Sequence, residues 1–561
     1  MTGQDTRTGA ADSPEVLIVG AGPVGLTLAI SLGQRGIRCL LVERSRSVGT
    51  LPKMDLCNPR SMEIFGRLGL AEKIRAAGWP LDARPDVYTG PSLAEPPYAV
   101  LSYPSIAETR ERVATCADGT EARESYQRIS QYTLEALLGQ EARALPTVRV
   151  CFGHELTGFS QDADGVHAEI RSANGEKSTV IARYLVGCDG GGSLVRKTLG
   201  IEYSGRARVA RNYQIFFRCP ELLDKAGLEP FRHYYLAGAR QGVLIAQDDL
   251  KRWSLHVHIT ADADVSRLDP AEEVRAALGL DLDPEVLHAG AWTPHLLVAD
   301  QYRDGRVLLA GDSAHQYIPT GGFGLNTGIG DADNLAWKLT AVLRGWGGPT
   351  LLDSYHAERH PVGVRNCRAA EYAATGVETW RRLYDPVVGH DTPVGRERRR
   401  LLAAAFNTYQ RRSHEQHGTE LGYRYALSPV CSHETGPLPD PDSPVYQPSA
   451  APGSRLPNAW IKPGASVHDQ AGTGLTLLAL DTPTLTTDRF LGAARQRGVP
   501  LDVLRLDGRG DLRQLYGASL LLLRPDLHVA WRGEDTDVSP DDVLDVCTGR
   551  RTRPDSPDTK A

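Results

Sequence analysis

Apolar and polar positions alternate along this 561-residue chain in ways that mark its elements before any motif is considered. Near the start, "EVLIVG" is a short apolar run rich in β-branched residues, the pattern of a buried strand. "PVGLTLAISLGQRG" follows with apolar positions at helical spacing and Gly36 placed to end the helix. "IRCLLVER" is a second buried strand. Residues 15–44 thus predict strand, glycine turn, helix and strand, one βαβ unit. Two later runs share this apolar character: "ARYLVGCDGGG", with a strand over 182–188, and "DGRVLLAGDSAHQ". Between them, the stretch 201–297 alternates with period two in "NYQIFFRC", "RHYYLAG", "GVLIAQ" and "RWSLHVHI", which predicts an antiparallel sheet. In the last of these, Trp253, Leu255 and Val257 fall on one face, and Ser254, His256 and His258 on the other. Periodicity leaves open which face meets a ligand, and Tyr234 and Tyr235 raise the same question.

The proline-rich segment "PDVYTGPSLAEPPYAVLSYPS" carries aromatics and groups with that second sheet. Residues 356–381 read as helix, and 433–458, rich in proline, as a linker. From 459 onward "GLTLLALD", "PLDVLRLD" and "SLLLLRPDLHVAWRG" predict strands separated by helices, a smaller α/β domain. The tail "GRRTRPDSPDTKA" has the composition of a disordered segment.

Composition removes several functional classes. An apolar fraction of 41% and a charged fraction of 24% are those of an ordinary globular protein. A net charge of −6 with scattered basic residues argues against nucleic-acid or anionic-membrane partners. The nine cysteines show neither C-x-x-C nor metal-ligand spacing, so no metal site is expected and reduced thiols of a cytoplasmic protein are. Neither a secretory signal nor an 18-residue apolar run is evident.

The turn of the βαβ unit is "GAGPVG". Gly20 permits the tight turn, Gly22 lets a pyrophosphate approach the backbone, and Gly25 lets the helix pack on the sheet. Glu43, at the end of the second strand, is placed to accept bonds from a ribose hydroxyl. Pro23 and Val24 within the turn, and Arg44 beside Glu43, complete the expected cofactor lining. A plain tight turn explains the glycines but not the acid. A third glycine-rich piece, "GDSAHQYIPTGGFGLN", sets Asp312 at the end of a strand and a turn before a helix; its glycines permit close approach, and a helix start favours negative charge.

"GAGPVG" with Glu43, "CDGGGSLVR" and "GDSAHQYIPTGGFGLN", in this order, resemble the group A flavin-dependent aromatic hydroxylases, the phenol and p-hydroxybenzoate hydroxylase family. "RPDLHVAWRG" is similar to the thioredoxin-like C-terminal domain of phenol hydroxylases and bacterial aromatic-polyketide hydroxylases. "HGTELGYRYALSPVC" resembles chlorophenol-hydroxylase-like members. The resemblance implies an α/β fold: a Rossmann-like FAD-binding domain in three parts (14–82, 116–200 and 298–381, the last with a connecting helix), a substrate domain with an antiparallel sheet (83–115 and 201–297), a helical and linker region (382–458), a thioredoxin-like domain (459–548) and a tail (549–561).

The resemblance also implies site roles. Asp312 would contact the ribityl and pyrophosphate region of FAD. Pro319, Gly322 and Gly324 would run along the isoalloxazine ring, and Leu325 and Asn326 would offer backbone groups to its polar edge. The family usually has two prolines where Ile318-Pro319 stands. Arg128 and Gln131, in "QRISQYTLEALL", match residues that reach the flavin side chain, although a solvated helix face also accounts for Arg128. Asp189 matches the second fingerprint; capping of the next helix, with Arg196 paired to it, is the structural alternative. His315 is expected to be packed or close to the flavin rather than a base.

The activity implied is that of an FAD-dependent monooxygenase. NADPH or NADH, bound transiently, would reduce FAD; O₂ would add to give a C4a-hydroperoxide, and one oxygen would pass to an electron-rich phenol- or pyridone-like ring of a natural product. Baeyer–Villiger insertion, epoxidation and a non-redox flavin-bound cyclase are the alternatives. The C-terminal domain, lacking a dithiol, is expected to act as a scaffold over the cavity or in a homodimer. In "PKMDLCNPRSMEIF", Asp55 falls where phenol-hydroxylase-like members place a carboxylate against the substrate hydroxyl. The resemblance makes it the candidate catalytic base; capping of the helix near 58–65, or a solvent-facing position, is the alternative.

Overall fold

The computed structural model describes residues 13–238, 240–534 and 539–551. Its first sheet grows from the βαβ unit: β1 (Val16–Val19), α1 (Pro23–Gln34) and β2 (Cys39–Glu43). All four residues of β1 are buried, as a strand covered on both faces requires. β3 (Tyr184–Gly187) and β4 (Val307–Leu309) add in parallel on the far side of β1, and Val148–Phe152 adds beside β2. Arg303–Asp304 closes the edge antiparallel to β4, giving six strands. α2 (Phe323–Leu343) packs against α1, and α3 (Asp353–Arg381) runs past it to the second domain.

A seven-stranded sheet forms that second domain, in the order Glu285–Trp292, Asn212–Arg218, Arg252–His258, Gln241–Ala246, His233–Ala237, Val87–Gly90 and Ala99–Leu101. The proline-rich segment therefore supplies two of its strands, one parallel to His233–Ala237. Trp253, Leu255, Val257 and Tyr234 pack into a core with Val274 and Leu278 of the helix Pro270–Leu278. Burying the larger apolar side chains there turns Ser254, His256, His258 and Tyr235 to the opposite face.

The C-terminal part contains four strands in the order Leu501–Arg505, Leu475–Ala479, Leu520–Leu523 and Val529–Gly533. The first pair is parallel and the others antiparallel, with helices Thr484–Arg497, Gly510–Tyr516 and Pro540–Cys547 between and after them. This is thioredoxin-like topology without a C-x-x-C dithiol. The stretch 433–458 contains no helix or strand, but it is not a loose connection. Ala450, Ala451, Arg455 and Leu456 are buried, and Arg455 forms a two-pronged ion pair with Glu63 of the helix Pro59–Arg67. Glu358 of α3 is likewise held by Arg524 and by Lys338 of α2, with all three buried. Residues 552–561, most of the expected disordered tail, lie outside the described residues.

Candidate active site

A cavity of about 1570 Å³ runs from the first glycine turn to the polar face of the seven-stranded sheet. The turn explains its shape at one end. Gly20 has φ +107°, and a Cβ there would lie 2.3 Å from the Cys188 carbonyl oxygen. At Gly25 a Cβ would lie 2.1 Å from the Gly20 oxygen, so α1 packs on the turn only because both positions lack side chains. Gly25 accordingly stands behind the wall, while Gly20, Gly22, Pro23 and Val24 line it. Glu43 lines it too, with its carboxylate accepting from the backbone N–H groups of Ala21 (3.0 Å) and Ser45 (2.8 Å), and Arg44 follows.

Two helices begin on this cavity without side-chain caps. The N-cap of α1 is Gly22 and that of α2 is Gly322, at φ +69°, and neither first turn holds an acid. Their leading N–H groups are orphan donors, and the helix dipoles add partial positive charge. A Cβ at Gly22 or Gly324 would meet nothing within 4 Å, so the space before both backbones is open. Such a pair of cradles suits an extended, anionic, dinucleotide-sized cofactor. Pro319, Gly322, Gly324 and Leu325 line the second cradle. Asn326 sits behind it: its side chain accepts from the N–H of Asn58 (2.9 Å) and donates to Leu56 O and Gly322 O, which ties the turn to the Asp55 loop.

Asp312 is exposed to the cavity yet hemmed in by protein, and this burial pushes its carboxyl upward against the pull of His315 and Lys53. His315 is fully buried and pairs with Asp331 at 2.8 Å, a packed residue. Asp189 lines the cavity and also accepts from Ser193 Oγ (2.6 Å) and Val195 N (3.1 Å), which anchors the short helix. Arg196 does not pair with it; its guanidinium stacks on Tyr203 and donates to Ile201 O. Gln131 lines the wall and donates to Glu135 at 2.7 Å.

Arg128 corrects one expectation. It lies in a short strand, Gln127–Arg128, not on a solvated helix face, and is buried. Its Nη1 reaches Asp55 Oδ2 at 2.9 Å. Asp55 does not cap the following helix; Asn58 does, accepting from Ser61 N. Instead Asp55 stands half-buried on the cavity wall, where Arg232 Nε (3.2 Å) and His233 Nε2 (3.1 Å) join Arg128 on the same oxygen, Oδ2. Among the described residues no donor is placed on Oδ1. Burial alone would raise this carboxyl's pKa, but His233, Arg128 and Arg232 together outweigh it and hold the group well below the usual range. Burial also lowers the pKa of His233, against the opposing pull of Asp55. Arg232 and His233 were not singled out from the sequence. The signal was there in "RHYYLAG": an Arg-His pair at the start of an otherwise apolar strand.

The arrangement is that of a flavoprotein with a substrate chamber beside its cofactor cradle. Residues 13–370 match the FAD binding domain family model, and residues 449–550 the model for the aromatic-ring hydroxylase C-terminal domain. The chain is 34% identical to the FAD-dependent monooxygenase apdD of Emericella nidulans, over 92% of this chain and 87% of that one. It is 33% identical to tetracenomycin B2 monooxygenase-dioxygenase of Streptomyces olivaceus, over 95% and 98% of the two chains. The solved structure of the rebeccamycin biosynthetic enzyme RebC with reduced flavin superposes with a TM-score of 0.86 at 34% identity, covering 96% of this chain and 99% of that one. This chain belongs to the FAD-dependent aromatic-ring hydroxylases, and it is a flavin-dependent monooxygenase whose cofactor is FAD. No helix among the described residues is long and apolar enough to cross a membrane.

Proposed function

We propose that the protein hydroxylates an electron-rich, hydroxyl-bearing aromatic ring of a natural product, using NADPH or NADH and O₂. Bound FAD supplies the redox chemistry, taking hydride from the nicotinamide and activating oxygen. The chain's own residues do the rest. The uncapped starts of α1 and α2, Glu43 and Asp312 would hold and orient the cofactor, and the packed turn keeps it in register with the chamber.

The observation that carries this reading is the free Oδ1 of Asp55. Three donors saturate Oδ2 and keep the carboxylate ionised, so Oδ1 remains as an acceptor on the wall of the chamber. A phenol has a pKa of about 10, near that of Tyr. A carboxylate this acidic takes its proton poorly, but a hydrogen bond to Oδ1 raises electron density on the phenol oxygen and its ring. Asp55 is thus the proposed catalytic residue, acting as acceptor for the hydroxyl rather than as a strong base. The names of the tetracenomycin and rebeccamycin relatives support a natural-product substrate.

Purified protein assayed against phenolic polycycles should show substrate-stimulated NAD(P)H oxidation and a product heavier by one oxygen. Product NMR separates ring hydroxylation from ring-expanding insertion or epoxidation. A product formed without NAD(P)H and without added oxygen would favour a non-redox cyclase. The proposed homodimer is to be checked by sedimentation. Buried thiols such as Cys39, Cys57 and Cys219, none of them in a disulfide, support a reducing compartment such as the cytoplasm.

A further inference from the structure

The last residue of α3, Arg381, is a cation without an anion. Its Nη1 meets His258 Nε2 at 2.6 Å and its Nη2 donates to Gly242 O at 2.7 Å. Its plane lies against the rings of Tyr235 and Trp380, 5.6 and 5.5 Å from their centroids. A guanidinium has five N–H donors. Two are used here, and the Nε donor is buried with no acceptor. Among the described residues no carboxylate forms an ion pair with Arg381. Glu378, one turn earlier, is engaged by Arg382 at 3.3 Å. The neighbour that faces the charge, His258, opens on the cavity but is hemmed in by protein; loss of solvent and then Arg381 itself lower its pKa to about 4, so it is neutral. Burial draws Arg381 down to about 10 for want of a compensating charge.

A half-buried cation with no anion beside it, and with its Nε donor shut off from water, gives up part of its solvation without return. What retains Arg381 is its position: it lines the cavity together with His258, Tyr235 and Val243. The α3 C-terminus offers only partial negative charge. The strand His233–Ala237 links it to the other polar station. His233 faces Asp55, Tyr235 faces Arg381, and the two are one pleat repeat apart on the same side, about 7 Å along the strand.

We infer that Arg381 receives a carboxylate carried by the aromatic substrate, whose ring hydroxyl lies toward Asp55. The planar, two-oxygen anion suits the donors that Arg381 still has free. This inference rests on the proposed aromatic substrate, and it concerns how that substrate is held, not how it is oxidised.

The test is equilibrium binding to the FAD-loaded full chain, followed by quenching of tryptophan fluorescence and by the flavin spectrum. The probes are 6-hydroxy-2-naphthoate and its methyl ester, with inorganic phosphate as competitor. Wild type should bind the acid tighter than the ester by about tenfold or more, the scale of a charge-assisted hydrogen bond. In Arg381→Met the ratio should fall to about one with ester affinity and FAD content retained, and Arg381→Lys should keep part of the preference. Phosphate competing as well as the acid would overturn a carboxylate site. Equal binding, or no binding, of acid and ester by wild type overturns the inference, as does an unchanged preference in Arg381→Met. Acid preference without any stimulated NAD(P)H oxidation would instead count against the proposed reaction and leave the anion site standing.

Discussion

Asp55 and His233 lie 178 positions apart in the chain, yet His233 Nε2 stands 3.1 Å from Asp55 Oδ2, and the pair is flanked by Arg128 and Arg232. The loop after β2 and a strand of the second domain meet there, so the chemistry of the chamber depends on how the two domains are joined.

Asp55→Asn retains the shape and removes the charge. FAD binding and flavin reduction should survive. Product formed per NAD(P)H consumed should fall, with hydrogen peroxide released instead, by about tenfold if the lost acceptor is worth about 1.4 kcal/mol in the transition state. Stopped-flow reduction together with peroxide assay checks this. Coupling unchanged from wild type across pH 6–9 would remove Asp55 from the mechanism.

Gly25→Ala places a Cβ where the Gly20 carbonyl oxygen stands, 2.1 Å away. The turn must open or α1 must lift. FAD affinity should drop by at least about tenfold, or 1.4 kcal/mol, while the seven-stranded sheet is untouched. Retention of full FAD occupancy through dialysis would contradict the packing account.

Arg524→Met leaves Glu358 buried with Lys338 as its remaining ion-pair partner. Breaking a buried pair on one side costs about 3–5 kcal/mol, which should lower the melting temperature by about 3–4 °C for a cooperative unit of this size. Removing 459–561 goes further, since it uncovers Trp337 and Trp346 as well as Glu358. That truncation should be poorly soluble or unstable. A truncated chain that stays soluble, FAD-bound and fully active would end the scaffold role.

Acid should destabilise the fold in two stages. His528 is buried with its pKa lowered to about 4 by loss of solvent, partly offset by Asp526, so the unfolded chain takes up the proton first. Its contribution is present above the unfolded value of about 6.5 and is lost as pH falls from there. Burial acts to raise Glu358, but Arg524 and Lys338 outweigh it and bring it to about 2. That contribution is present above an unfolded value of about 4.3 and is lost below it. The melting temperature should decline from about pH 6.5 and more steeply below pH 4.5; a flat profile between pH 7 and 4 would refute the assignment.

What the sequence determined by itself was local. The "GAGPVG" turn, Glu43 at the end of β2 and the glycines around Pro319 could be read because their spacing along one stretch of chain is what the backbone geometry demands. The two faces of Arg252–His258 were also legible as faces. Which of them met the cavity was not, since that depended on the helix Pro270–Leu278 covering Trp253 and Leu255. The partners of Asp55, the buried placing of Arg128, the seating of Arg455 on Glu63 and the unpaired charge of Arg381 were decided only by tertiary structure. Each brings together segments far apart in the chain, and a charged side chain carries no mark of its partner until packing removes the water that would otherwise solvate it.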